Sequence, residues 1–141
     1  MKMAILLSTI FATAPAFAQS AELEAAKVPL QNYIRAQETG NADYVREAFT
    51  ADARITGNMA GRTISWSLEQ YADRFTGEPA ADESQRKRHI EILELTGDAG
   101  VGKVTLDYPA VRFVDYMSLV KVDGVWKIVG KSFHALAKPK P

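Results

Sequence analysis

Apolar and polar positions alternate on both sides of Asp123-Gly124, and the stretch DYMSLVKVDGVWKIVGKSFH (115–134) therefore predicts a β-hairpin. A two-residue loop needs positive φ at both positions, which Asp tolerates and Gly adopts freely. With Val122 opposite Val125, the register predicts one face carrying Phe113, Asp115, Met117, Leu119, Trp126, Ile128, Ser132 and His134. The other face then carries Val114, Tyr116, Ser118, Val120, Lys127, Val129, Lys131 and Phe133. The first face holds the indole and lacks the lysines, so it is expected to point inward.

Upstream, Leu23, Leu30 and Ile34 among good helix formers predict a helix over 21–39, closed by Gly40. Pro29 within it either kinks a long helix or occupies the first turn of a shorter one. Asn41 reads as the N-cap of a short helix reaching Phe49, with Tyr44, Val45, Ala48 and Phe49 facing the core. An extended stretch begins at Asp52, a strand is expected over 53–59, and Gly61-Arg62 turns the chain into Thr63, Ile64 and Ser65. Ser67 reads as the N-cap of a helix over 68–75. A loop over 76–85 follows, then strands over 88–95 and 100–108 around Gly97-Asp98. Helices first and antiparallel strands after is the order of an α+β domain with helices on one face of a curved sheet.

With 141 residues, 47% of them hydrophobic, the chain is sized for one core. Seventeen basic residues balance 17 acidic ones, which gives no electrostatic reason to expect nucleic acid or an anionic membrane. Lys2, an apolar run over 3–11 and the small-residue end Ala16-Phe17-Ala18 read as a signal peptide over 1–18, cleaved after Ala18. The run is shorter than the roughly 20 apolar residues of a membrane span. A secreted or periplasmic domain over 19–137 and a flexible tail over 138–141 are the expected organisation. The chain has no cysteine, so its stability must come from packing or from a second subunit.

Four strings resemble the lumazine-binding branch of the nuclear transport factor 2-like superfamily: PLQNYIRAQETGNADYVREAF (29–49), GRTISWSLEQYADRF (61–75), RHIEILELTGDAGVGKVTLDYP (88–109) and the hairpin itself. The resemblance implies a cone, in which a strongly curved antiparallel sheet wraps around the helices and a cavity opens between them. It also implies pairing of two copies through the outer sheet face, where Tyr116, Val120, Val129 and Phe133 are expected. Lumazine-like or flavin-like heterocycles are the ligands the branch name suggests.

Asp115 and His134, diagonal neighbours in the expected register, could form a general base or a polar anchor for a ligand; a structural ion pair at the sheet rim is the competing reading. By resemblance to steroid isomerases of the same superfamily, Tyr33 on the first helix stands where an oxyanion donor belongs. Those enzymes place a carboxylate base on the strand after the second helix, and the corresponding positions here, near Gly57 and Asn58, cannot take a proton. Their protonated Asp corresponds to Met117, with Asp115 two residues earlier. Met59, Trp66, Phe113, Met117, Leu119, Trp126 and Ile128 are the expected pocket lining, because aromatic and thioether groups supply contact area with little polar demand. Arg54 and Arg112 are further candidates, for a ligand carboxylate.

His89 and His134 lie far apart with no metal-ligand spacing, and no Ser sits in a nucleophile elbow, so neither a metal nor another cofactor is expected. Three readings stay open. The favoured one is an exported homodimer that binds a small organic molecule. The second is a cofactor-independent isomerase, cyclase or hydratase using Asp115, His134 and Tyr33. The third is an accessory module whose cavity is filled by its own side chains.

Overall fold

The first helix, α1 (Ala14–Thr39), turns Ala26, Leu30, Tyr33 and Ala36 to the core, a stripe with the three- and four-residue spacing of one helix face. The computed structural model describes residues 14–139, so the expected leader over 1–18 lies mostly outside the described residues; α1 runs unbroken through Ala18. Pro29 is accommodated inside α1 and is buried. Gly40 ends the helix with φ +70, and an added Cβ would fall 2.0 Å from the Glu78 carbonyl oxygen, so this close crossing requires glycine.

A short helix, α2 (Asp43–Ala48), buries Val45 and Ala48 and leads directly into β1 (Phe49–Met59), earlier than the sequence pattern indicates. Ala60 and Gly61, both at positive φ, turn the chain into β2 (Arg62–Ser67). Ser67 then caps α3 (Leu68–Ala72) through a capping box with Gln70: its side chain accepts from the Gln70 N–H, and its own N–H donates to the Gln70 side chain at 2.9 Å. This helix is shorter than expected and places Tyr71 and Ala72 against the core.

The remaining strands are β3 (Lys87–Thr96), β4 (Ala99–Asp107), β5 (Val111–Val122) and β6 (Val125–Ala137). All six form one sheet in the order β2-β1-β6-β5-β4-β3. The sheet is mixed rather than wholly antiparallel, because β1 joins β6 in parallel. Gly57 makes that junction possible: a Cβ there would sit 2.3 Å from the Phe133 carbonyl oxygen and 2.4 Å from its ring. At the end of β6, Lys138 bonds its N–H to the Ala110 carbonyl and its ammonium to Asp107 at 2.7 Å, so the first tail residue is tied down.

Asp123 and Gly124 turn the last hairpin with φ 50 and 80, and Val122 pairs with Val125 as expected. The pairing then slips. Leu119 faces Ile128 but Ser118 faces Gly130, so Val129 is an extra residue, a β-bulge. One inserted residue exchanges the two faces of everything beyond it. Trp126 and Ile128 point inward as expected, but from the bulge onward Lys131 and Phe133 are the buried residues, while Ser132 and His134 face solvent. The expected diagonal pairing of Asp115 with His134 is therefore corrected: Asp115 faces Phe133, and His134 faces Val114.

Candidate functional site

A cavity of about 470 Å³ opens between the helices and the far half of the sheet, beyond the bulge. Its polar floor is assembled from three elements. Tyr33 comes from the buried stripe of α1, Tyr71 from the capped α3, and Lys131 from β6. Asp115 on β5 lies behind them and is 0% exposed.

The Tyr33 hydroxyl donates to Asp115 Oδ2 at 2.6 Å, and the Lys131 ammonium donates to the Tyr33 hydroxyl at 2.8 Å. The same ammonium reaches the Tyr71 hydroxyl at 3.3 Å and Asp115 Oδ2 at 3.5 Å. Lys131 Nζ also stands 4.7 Å from the centres of the Tyr33 and Tyr71 rings and 5.1 Å from that of Phe133, an aromatic cage that favours a cation. Asp115 Oδ1 is buried and has no hydrogen-bond partner among the described residues.

Burial by itself would pull the Lys131 ammonium below its ordinary pKa, but the Asp115 carboxylate and the Tyr71 hydroxyl outweigh it and leave the pKa raised. Lys131 is thus a charged donor rather than a free amine. Burial, reinforced by the Asp115 charge, pushes the Tyr33 hydroxyl well above its ordinary range and keeps it a neutral donor.

The chain of polar contacts continues away from the floor. Gln37 Nε2 donates to the Tyr71 hydroxyl at 2.9 Å, and the Tyr108 hydroxyl donates to Gln37 Oε1 at 3.4 Å. Arg88, its side chain 3% exposed, donates to the Tyr108 hydroxyl at 3.2 Å and pairs with Glu83 at 2.5 Å. Arg88 therefore braces the helix and sheet together, since it also donates to the Gln37 carbonyl.

The walls are aromatic. Trp66 stacks on Phe133 with centres 5.9 Å apart and planes within 5°, and Phe113 lies 6.4 Å from Phe133 and 6.0 Å from Tyr108. At the mouth, Arg74 lies over Trp66 at 4.5 Å and Arg86 over Tyr108 at 4.2 Å.

Of the lining expected from sequence, Met59, Trp66 and Phe113 border this cavity, as does Tyr33, the expected oxyanion donor. Met117, Leu119, Trp126 and Ile128 do not: they fill the core between α1 and the hairpin tip, each at most 3% exposed. There Trp126 Nε1 donates to Glu22 at 3.0 Å, and Lys121 pairs with the same carboxylate at 2.8 Å. His134, on the outer face, does not meet the cavity. Arg54 bonds Ser65 at 3.0 Å and Arg112 stands 3.7 Å from Glu91, both away from it.

Sequence reasoning missed Lys131, Tyr71 and Phe133. The available signal was Gly130: a glycine inside an otherwise apolar strand marks a bulge, and a bulge there reverses the side-chain phase that placed Lys131 outside.

Solved structures of similar geometry support the same architecture. Structures of nuclear transport factor 2-like proteins of unknown function superpose on this chain: one from Silicibacter pomeroyi DSS-3 with TM-score 0.74 at 20% identity, covering 84% of this chain and 98% of that one. Another, from Shewanella baltica OS155, superposes with TM-score 0.74 at 23% identity over 86% of this chain and 97% of that one. A curated relative, Aldolase FrzH from a Cladobotryum species, is 28% identical over 118 residues, 82% of this chain and 93% of its own length. Residues 21–134, which include every residue of the cavity floor, match the model of the family described as "Putative lumazine-binding". The chain belongs to that family and shares its fold with nuclear transport factor 2-like proteins.

Proposed function

We propose that this protein binds a small, flat organic molecule and holds one of its oxygens, a carbonyl or an oxyanion, against Lys131 and Tyr71. The observation that carries this reading is the Lys131 ammonium, its side chain 4% exposed, at the floor of an open cavity with aromatic walls. Apolar stacking supplies contact area, and a caged cation with two phenol neighbours supplies orientation. An accessory module needs no open cavity of this size. The test is tryptophan fluorescence during titration with lumazine, riboflavin and 4-acetylbenzoate: Trp66 borders the cavity whereas Trp126 is buried elsewhere, so a bound ring quenches the native protein and not Trp66→Phe. No quenching by any of the three contradicts the reading.

A second reading is enzymatic, and the aldolase relative favours it. An ammonium that holds a carbonyl oxygen also stabilises the enolate left when the Cα–Cβ bond of a β-hydroxyketone breaks to release an aldehyde, the hydroxyl proton passing to water and a proton returning to the enolate carbon. Asp115 reaches the cavity only through Tyr33 and Lys131, so its part is to position them. Cleavage of a fluorogenic β-hydroxyketone by the native protein, lost in Lys131→Met, supports this reading; cleavage unchanged in that variant contradicts it.

Export and pairing complete the proposal. The leader pattern over 1–18 supports periplasmic or secreted placement, and N-terminal sequencing of the exported protein should begin at Gln19. Tyr116, Val101 and Leu136 are exposed apolar side chains on the sheet, which supports a homodimer through that face. Phe133 has no part in it, being buried in the cavity wall. Sedimentation should give a dimer that Tyr116→Glu dissociates.

A further inference from the structure

The mouth of the cavity carries an unengaged cation. Arg74 borders the cavity, and among the described residues its guanidinium has no ion pair and no side-chain hydrogen bond. Its position is nonetheless set, because its Cζ lies over the Trp66 ring at 4.5 Å, and Trp66 itself packs against Tyr71 at 6.0 Å and Phe133 at 5.9 Å. A guanidinium held over an aromatic ring by cation–π attraction keeps N–H donors available for a planar, two-oxygen acceptor. The other cation at the mouth, Arg86, is already engaged by Asp82 at 2.7 Å. Among the described residues Glu78 is the one carboxylate on the lining, and it forms no ion pair with Arg74.

We propose that Arg74 is a specificity-determining residue that selects ligands carrying a carboxylate, so that the molecule bound here is an aromatic or conjugated carbonyl compound with a carboxylate at its outer end. This rests on the reading that an oxygen of the ligand meets Lys131 and Tyr71 at the floor. The floor and mouth are then two polar anchors joined by the Trp66 and Phe133 rings, and a ligand with a single polar end uses only one of them. The Arg74 guanidinium makes no hydrogen bond to the floor groups, so its removal changes selectivity while the contacts among Tyr33, Asp115 and Lys131 stay in place.

The experiment compares 4-acetylbenzoate with its methyl ester by calorimetry, two probes that share ring and ketone and differ in the carboxylate. The native protein should bind the acid roughly tenfold more tightly, the worth of one charge-assisted contact at a partly exposed site. Arg74→Leu should bring the ratio near one by weakening the acid alone, Arg74→Lys should keep part of it, and Arg86→Leu should leave it intact. Tyr71→Phe should weaken acid and ester equally, since the ketone end lies at the floor. Equal binding of acid and ester by the native protein, or a preference for the acid that survives Arg74→Leu, overturns the role of Arg74 while the floor reading stands. Binding of neither probe overturns the inference about Arg74, and it overturns the floor reading as well only when lumazine and riboflavin also fail to quench the Trp66 fluorescence.

Discussion

Lys131 and Asp115 form a buried ion pair with little residual contact to water, their side chains 4% and 0% exposed, and such a pair is costly to break by halves. Lys131→Met leaves the Asp115 carboxylate uncompensated in the core and should lower stability by roughly 3–5 kcal/mol in chemical denaturation. Adding Asp115→Asn to that variant removes the stranded charge while keeping an acceptor for the Tyr33 hydroxyl, and should restore most of the loss. A double variant no more stable than the single one would show that the pair is not what the core depends on. The same pair decides how the lysine reacts. Because its pKa is raised, the amine is protonated at neutral pH and does not condense with carbonyl groups, so borohydride reduction in the presence of 4-acetylbenzoate should leave Lys131 unmodified by mass spectrometry.

At the scale of elements, the site depends on where strands slip and where helices start. The hairpin turn was legible because Asp-Gly has few alternatives, and so were the N-cap at Ser67 and the helix end at Gly40. The inner face of β6 was legible only as far as Ile128, since alternation counted from the turn carries no mark of an inserted residue. The strand-internal Gly130 was the available mark, and reading it would have exchanged His134 for Lys131. The parallel pairing of β1 with β6 was equally hidden, being a long-range contact that local pattern does not encode. Two predictions test these junctions. Ser67→Ala removes the cap that fixes α3 and should cost about 1 kcal/mol, with weaker binding through Tyr71. Gly57→Val drives a side chain into the Phe133 backbone and ring, and should destabilise more than the cap variant while abolishing the Trp66 fluorescence response.

For the molecule as a whole, the charges set a window of pH stability. The Lys131 pKa is raised above its ordinary 10.5, so the stability it contributes is complete below that value and is lost as pH climbs through the folded-state value. Tyr33 acts in the same direction: the unfolded chain ionises it from about its ordinary 10.0 upward while the fold keeps it neutral. Melting temperature should therefore fall steeply above about pH 10, and less steeply in the Asp115→Asn/Lys131→Met double variant. On the acid side, Glu22, Glu69 and Glu91 are held below their ordinary 4.5 by hydrogen bonds to Lys121 and Trp126, to Arg46, and to Lys103 and Thr105. Their contribution is present above that pKa and fades as pH drops through the lower folded-state values, but these pairs are solvent-exposed and salt screens them.

The bulge at Val129 turns Lys131 inward, where it stays charged and faces the cavity in which a ligand is proposed to bind. Nitrogen NMR of the Lys131 side chain, assigned through Lys131→Arg, measures this directly. An ammonium signal that resists solvent exchange, persists above pH 10.5 and shifts when 4-acetylbenzoate is added is expected. A signal that titrates like that of a surface lysine and ignores the probe would contradict it.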